Sequence, residues 1–470
     1  MIKKNDIVCL EIVDIGQDGY GIGKYSDGEL KNFVIYVPFV AVGDKIRCKI
    51  LKVLSSYAFG KVEEIIVKSP HRIEPDCKSF GKCGGCVFRH IDYEAELEYK
   101  KNSVVQAYKR EFGSDFDIKI NEVKPSEQTE GYRNKVEYPI SVEGKCSFYA
   151  KKSHRTVDIV GCKLQDASFE QIVKAFEGYV SEFNVSVYDE QTKKGVLRHL
   201  FLRIGENSGD ISVCVVANKK KIPFEEELVK RMSEINGVKS LWLNCNTKDT
   251  NVILSDDYRL IWGEKYIIDD MCGVKVRISP QSFYQINKRQ AQKLYSDALE
   301  MAGEYNNLLD LYCGIGCIGL CAAKKAKRVL GVEIVPEAIE DAKAIAKINN
   351  IENAQFYTSD ANRLSEVLKE ADFVPDTVVV DPPRKGLDEE TIRAILKINP
   401  KKIVYISCNP HTQSRDVKKF SECGYEIKEI APYDMFPRTY HVETIALLSR
   451  EKVDEHIYFD VNVQNLPKTV

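Results

Sequence analysis

Near its C-terminal end the chain reads KIVYISCNP, in which Cys408 closes a short apolar run and Asn409 and Pro410 turn the backbone away. A packing cysteine falls naturally inside a strand, whereas one at the tip suits an accessible thiolate nucleophile. The later segment YHVETIALLSR brings His441 and Glu443 to the start of another apolar run, which offers a base for the same crevice. Both also read as structural groups, a satisfied imidazole and an ordinary carboxylate at a strand's start. Between these, VVVDPPRKG stops a strand at Asp381, since two prolines cannot continue it. A carboxylate at a strand's carboxyl end lies where α/β sheets bind ligands; the plainer alternative is a stiff turn with Asp381 capping a helix.

LLDLYCGIGCIGLCAA places Asp310 and Tyr312 at a strand end, then Gly314, Gly316 and Gly319, then a helix start. This G-x-G-x-x-G lets backbone approach a nucleotide closely, and Glu333, ending the next run VLGVE, is placed to accept from ribose hydroxyls. Dinucleotide enzymes share the pattern, so by itself it does not separate NAD from S-adenosylmethionine. Asp310 directly before the loop disfavours a pyrophosphate and tolerates a cationic sulfonium and amino group, which tilts the balance to S-adenosylmethionine.

Cys77, Cys83 and Cys86 form C-x5-C-x2-C, with Gly81, Gly84 and Gly85 relieving crowding around a compact site. A tetrahedral zinc or a cubane cluster needs a fourth ligand, for which Cys162 in DIVGCKL is chosen over the local competitor Cys146. The spacing leaves zinc and iron both open. A radical S-adenosylmethionine enzyme is weakly supported, because the triplet lies far from the glycine loop and lacks the usual spacing.

These groups need a scaffold. The chain has 470 residues with a formal net charge of −2, which is too long and apolar for a disordered regulator and demands several domains. With so little net charge, any surface for a polyanion must be local. Fifteen cysteines, mostly single, do not resemble a secreted disulfide framework. No apolar run approaches the ~20 residues of a membrane span and no signal core follows the N-terminus, so a cytoplasmic location is expected. Residues 1–68 alternate short apolar runs with turns and predict a small β-barrel; its Tyr20, Tyr25, Phe33, Tyr36, Tyr57 and Phe59 are either core or a stacking surface for single-stranded RNA. Residues 69–280 read as a central α+β domain with a helix over 94–112. From 281 to 470, LLDLY, VLGVEI, AQFYTS, TVVVD and KIVYIS alternate with helical segments, the mark of a doubly wound α/β domain. In the central part, Arg133, Lys135, Lys151, Lys152 and Arg155, near Tyr132 and Tyr138, suit phosphate contacts and base stacking, or else solvated strand edges.

The order SPQSFYQIN, DLYCGIG, DPPRKG, SCNP and HVET resembles the RNA (uracil-5-)-methyltransferase family over nearly the whole chain. The N-terminal barrel resembles the OB-like TRAM domain, and EPDCKSFGKCGGCVFRH resembles the cluster motif of the ribosomal-RNA-directed branch. The resemblance implies a Rossmann-like methyltransferase domain, with Cys408 as nucleophile and Glu443 as general base. Gln285, Tyr312, Glu333 and Asp381 fall at its S-adenosylmethionine positions, and Asp360 in TSDAN less firmly. Cys313 and Cys317 are read as packing residues. It further implies a [4Fe-4S] cluster on Cys77, Cys83, Cys86 and Cys162, with zinc as the alternative. The expected partner is RNA, with 23S rRNA favoured over tRNA, and neither DNA nor membrane; the expected state is a monomer. The chemistry would be methylation of uridine at carbon 5, the target base flipped out of its stack. Two rivals remain: a methyltransferase acting on an amino nitrogen or a protein, which would need no thiol adduct, and a noncatalytic RNA-binding protein of the same fold.

Overall fold

Strict alternation in the first strands closes a barrel around an aliphatic interior. The computed structural model describes residues 2–27, 30–158 and 161–450; residues 451–470 of the C-terminal range lie outside them. β1 (Ile7–Ile15), β2 (Gly21–Asp27), β3 (Leu30–Val37), β4 (Lys45–Val53) and β5 (Tyr57–Val67) form a closed barrel in the order β1-β2-β3-β5-β4. Val8, Leu10, Ile12, Ile35, Val37, Ile46, Cys48 and Ile50 fill it. Because neighbours on a strand point to opposite faces, Tyr36, Tyr57 and Phe59 are turned outward and half-buried, with ring centroids 5.5–5.8 Å apart. These three therefore belong to an outer aromatic surface, whereas Tyr25 and Phe33 pack against the interior.

α1 (Tyr93–Phe112) is capped by Asp92, whose carboxylate accepts from the Ala95 N–H at 2.7 Å. It follows the barrel in sequence, yet its Val104 and Tyr108 enter the apolar cluster of the C-terminal sheet. β6 (Lys135–Pro139), the hairpin β7 (Ser147–Tyr149) and β8 (Thr156–Asp158), α2 (Phe169–Glu182), β9 (Leu197–Ile204), β10 (Ile211–Ala217), α3 (Glu225–Ser233), β11 (Val238–Cys245) and β12 (Tyr258–Gly263) make the central part. Its sheet runs β12-β11-β10-β9-β6, with α2 laying Phe169, Ile172 and Phe176 on one face. The hairpin β13 (Ile267–Met271) and β14 (Val274–Ile278) leads to α4 (Lys288–Met301).

The last part alternates β15 (Asn307–Leu311), α5 (Cys317–Ala322), β16 (Arg328–Glu333), α6 (Pro336–Ile348), β17 (Ala354–Thr358), α7 (Leu364–Glu370), β18 (Thr377–Val380), α8 (Glu389–Ile398), β19 (Lys402–Ser407), α9 (Pro410–Glu422), β20 (Glu426–Tyr433) and β21 (Glu443–Ser449). The seven-stranded sheet has the order β17-β16-β15-β18-β19-β21-β20. The first five are parallel and β21 runs antiparallel between β19 and β20. The order reverses between β15 and β18, so a ligand crevice opens at their carboxyl ends. Among the described residues no helix is long and apolar enough to cross a membrane.

The connection from β20 to β21, Asp434–Val442, is where the parts meet. The Lys100 ammonium, fully buried on α1, lies 2.7 Å from Glu96 and 2.6 Å from Asp434. Burial alone would push its pKa down, but the two carboxylates hold it above the ordinary lysine value. Glu96 also accepts from the Arg438 N–H at 2.6 Å, and the Arg438 carbonyl accepts from the N–H groups of Val87 and Phe88 at 2.8 and 3.1 Å. From the central part the Tyr132 hydroxyl donates to the Pro437 carbonyl at 3.0 Å, and from the cap of α4 the Asn287 amide donates to the Met435 carbonyl at 3.1 Å.

Removing a single partner from such a cluster leaves like charges facing each other without water. Lys100→Met is therefore expected to destabilise the chain by about 3–5 kcal/mol, read as a lower urea midpoint than that of the wild-type protein. An unchanged midpoint would show that the cluster does not tie the parts together.

Candidate active site

The carboxyl edge of the large sheet collects the residues that the spacing had singled out. Ser407 of β19 pairs with Thr444 of β21, so Cys408 and Glu443 occupy the adjoining register position across that pair. Val380 pairs with Tyr405, which puts Asp381 on the same edge one strand further in. Asn409 caps α9 by accepting from the His411 N–H at 3.1 Å, and its amide donates to the Arg384 carbonyl at 3.0 Å. The Asn-Pro pair thus stops the strand, starts the helix and fixes the segment after Asp381 against the thiol.

Arg384, which the spacing did not single out although it lies within DPPRKG, lines the same cleft as the Cys408 thiol, where its positive charge favours the thiolate. Its Nη2 lies 3.5 Å from His441 Nε2. Burial first, then the charges of Glu443 and Asp381, push the thiol up to about 11 against the opposing charge of Arg384. The resting side chain is therefore a thiol, unlike the ready thiolate that a strand-tip position suggests. Burial, then Asp381, pushes Glu443 up to about 8, with Arg384 again opposing. Burial, Arg384, Lys100 and Arg133 push His441 down to about 4, so its imidazole is neutral and a weak base at neutral pH. Of the two candidate bases, Glu443 has the pKa near working pH that proton transfer requires.

The nucleotide loop lies on the other side of Asp381. Gly316 is left-handed (φ 78°), and a Cβ there would meet the Phe356 ring at 2.7 Å. Asp310 is completely buried; Oδ2 accepts from the Gly319 N–H at 2.8 Å, while Oδ1 has no partner. Burial pushes Asp310 up to about 7, with Asp381 and Glu333 adding to the rise against the Gly319 bond. Asp381 keeps part of its surface open, yet dense surroundings also push it up to about 7. An orphaned carboxylate oxygen beside further carboxylates fits a cationic ligand better than a phosphate. Glu333 accepts from the N–H groups of Gly314, Ile334 and Val335 at 3.2, 2.8 and 3.1 Å, which leaves about one lone-pair site of its roughly four for another donor. Tyr312 adopts a left-handed backbone (φ 63°), and its hydroxyl lies 3.4 Å from Thr391 Oγ1.

Gln285 is buried, and its backbone carbonyl accepts from the Asn134 side-chain amide at 2.9 Å; Tyr295 of α4 is buried within reach of the charges of Asp381 and Glu443. Tyr295 is a second residue that sequence reasoning missed; on an amphipathic helix it carries no signal beyond apolar spacing. Asp360 is exposed after β17 and caps a short turn by accepting from the Asn362 N–H at 3.0 Å. Cys313 is buried in the apolar cluster of this domain, and Cys317 packs against it.

The thiols of Cys77, Cys83, Cys86 and Cys162 form a separate neighbourhood. Cys83 feels the charges of Cys162 and Cys77, and Cys86 that of Cys162. The positive charges of Arg89 and Arg133 oppose the rise of the Cys86 pKa and that of Arg133 opposes the rise at Cys83, and the Nε of each arginine lacks a partner. Cys83 Sγ accepts from the Gly85 N–H at 3.3 Å. Among the described residues, no group of three or more Cys, His, Asp or Glu side chains converges tightly enough to hold an ion as it stands. Tyr132 and Tyr138 are buried core residues, which corrects their reading as base-stacking groups. Lys151 and Lys152 stand over the Tyr20 ring at 4.3 and 5.8 Å.

Comparison with known proteins gives a family model, tRNA (uracil-5-)-methyltransferase, matching residues 92–451, and the TRAM domain matching residues 5–62. The chain is 42% identical to an uncharacterized RNA methyltransferase of Clostridium acetobutylicum, over 96% of this chain and 98% of that protein. It is 41% identical to one of Clostridium tetani, over 95% and 97%. The crystal structure of Pyrococcus abyssi tRNA (uracil-54, C5)-methyltransferase in complex with S-adenosyl-L-homocysteine superposes with a TM-score of 0.75 at 28% identity, covering 94% of this chain and 100% of that one.

Raised carboxyl pKa values have a consequence for stability. The folded chain keeps protons on Asp310, Asp381 and Glu443 that unfolded carboxyls lose near their ordinary values, 3.8 for Asp and 4.5 for Glu. The native state thus binds the extra protons until about pH 7 for the two aspartates and about pH 8 for Glu443, so stability contributed by these sites falls as pH rises through that window. Urea unfolding of the ligand-free protein should show Glu443→Gln flattening this decline, most visibly between about pH 7 and 8. Parallel wild-type and variant profiles would contradict the assigned protonation.

Proposed function

The chain belongs to the tRNA (uracil-5-)-methyltransferase family and is an S-adenosylmethionine-dependent RNA methyltransferase; we propose that it methylates carbon 5 of a uridine through a covalent bond between Cys408 and carbon 6. The observation that carries the proposal is the shared register position of Cys408 and Glu443 beside Asp381, with Arg384 lining the same cleft as the thiol.

S-adenosylmethionine supplies an electrophilic methyl group when bound. Asp310, Asp381 and Glu333, with Gln285, Tyr312 and Asp360 around them, are the residues that would hold it, and the unpartnered Asp310 Oδ1 fits its positive charge. The chain's own chemistry begins with transfer of the Cys408 proton to solvent in the open cleft, the resulting thiolate being stabilised by the positive charge of Arg384. The thiolate adds to carbon 6 of the uracil, and the displaced electron pair makes an enolate with density on carbon 5. Carbon 5 takes the methyl group, and Glu443 then removes the carbon-5 proton. The returning electron pair re-forms the ring double bond and expels the Cys408 thiolate. A neutral His441 is suited to packing beside the base rather than to taking that proton. A methyltransferase acting on an amino nitrogen would need neither Cys408 nor Glu443.

We assign the RNA to 23S rRNA and the acting form to a cytoplasmic monomer; the cysteine neighbourhood beside the barrel supports the ribosomal branch. The resemblance of the whole chain to a tRNA-directed enzyme favours tRNA as the second reading. Domains of 1–68 for RNA holding, 69–280 for the cluster segment and 281–470 for catalysis complete the assignment. Cys77, Cys83, Cys86 and Cys162 would hold a [4Fe-4S] cluster, or zinc in its place. Two guanidinium groups with spare donors beside these thiols fit an anionic sulfur-rich centre, which would support the fold and takes no part in the uracil chemistry.

With 5-fluorouridine-containing RNA, wild-type protein should form a complex that survives a denaturing gel, and Cys408→Ala should form none and lose turnover outright. Glu443→Gln should trap a methylated adduct on unmodified RNA; ordinary turnover by Cys408→Ala would end the assignment. Protein purified without oxygen should carry about four iron and four sulfide per chain, and Cys83→Ala should lose them. Stoichiometric zinc without iron would decide for the alternative metal.

A further inference from the structure

A cleft of about 200 Å³ opens at Cys408, and one of its walls comes from the barrel at the other end of the chain. Arg384, Cys408, Asn409 and His441 line one side, and Gln17 and Asp18, at the tip of the β1–β2 turn, line the other. This volume lies below the roughly 300–1,000 Å³ typical of ligand pockets and suits a single base better than a whole cofactor.

The turn is held firmly. Its own bonds run from the Gly16 N–H to the Tyr20 carbonyl at 2.7 Å and from the Gly19 N–H to the Gly16 carbonyl at 2.9 Å. Gly19 is left-handed (φ 73°) and buried, and a Cβ there would strike the Val87 side chain at 2.5 Å. Val87 directly follows Cys86 and donates to the Arg438 carbonyl, three residues before His441. Gln17 and Asp18 are exposed, as ligand-facing groups must be. Tyr20 closes the turn with its ring 6.1 Å from Phe59, so the outward aromatic surface of the barrel continues to the mouth of the cleft. Lys151 and Lys152 over Tyr20 supply positive charge at the same place.

Resting on the uridine reading above, we propose that Gln17 and Asp18 contact the target nucleoside itself, so that the barrel completes the substrate pocket as well as holding RNA. A carboxylate repels phosphate, and Asp18 therefore suits donors: the ring N–H of a pyrimidine or a ribose hydroxyl. Gln17 presents both an amide donor and an acceptor, which matches the mixed edge of uracil. Flanking nucleotides stack on Tyr20, Phe59, Tyr36 and Tyr57, and Lys151 and Lys152 take the backbone.

The test uses full-length protein, labelled S-adenosylmethionine and total RNA from a strain lacking the gene. Asp18→Ala and Gln17→Ala should each raise KM for RNA about tenfold, with affinity for S-adenosylmethionine unchanged. Asp18→Leu should fail like Asp18→Ala, because it keeps a comparable size while removing both acceptor oxygens; full activity of Asp18→Leu would overturn the assignment. A measurement independent of the RNA is alkylation of Cys408 by iodoacetamide, followed by mass spectrometry. Gln17→Trp should slow it severalfold by filling the cleft, and an unchanged rate would show that the turn does not wall the thiol. Wild-type protein that leaves uridine carbon 5 unlabelled would instead defeat the uridine reading, whatever the turn variants do.

Discussion

A lysine ammonium out of contact with water, held between Glu96 and Asp434, is the interaction on which the geometry of the site depends. Asp434 begins the connection that ends at Glu443, and Glu96 grips the same connection again at Arg438. The barrel and the cysteine segment reach it through Val87 and Phe88, the central part through Tyr132, and the start of α4 through Asn287. Buried ion clusters contribute little net stability compared with apolar packing, but they tolerate few alternative geometries. That suits a segment that leads into Glu443 and holds it opposite Cys408.

The second constraint is electrostatic. Asp310, Asp381 and Glu443 crowd one sheet edge, and burial makes each retain its proton above the ordinary range. Only a group of opposite sign relieves this crowding. Arg384 does so at the thiol end, and the unpartnered oxygen of Asp310 leaves room for positive charge at the loop end. The same field that suits a sulfonium keeps the Cys408 thiol protonated at rest, which protects it from adventitious oxidation.

Long-range placement also explains the division of labour along the chain. α1 lies between the cysteine segment and the central part in sequence, yet its apolar face completes the C-terminal core through Val104 and Tyr108. The barrel is connected only through its chain end, yet its β1–β2 turn meets Cys408 because Gly19 leaves space for Val87. Parts that fold on local patterns are thus locked by contacts far apart in sequence.

Local pattern was enough to determine the five parallel strands of the doubly wound sheet and the run after Glu443, the barrel, the α1 helix and the positions of Cys408, Asp381, Glu333 and Glu443 at strand ends, but not the edge strand β20. Alternation, apolar runs and proline stops are short-range consequences of backbone geometry, so they are written where they act. What only the tertiary structure decided was which faces and ends meet. Tyr36 and Phe59 lie outside the barrel while Tyr132 and Tyr138 are core, because each depends on what packs against it. Arg384 and Tyr295 gain their significance from partners distant in sequence. The protonation of Cys408 and Glu443 likewise comes from burial and from charges on other strands, and neither quantity exists until the sheet has assembled.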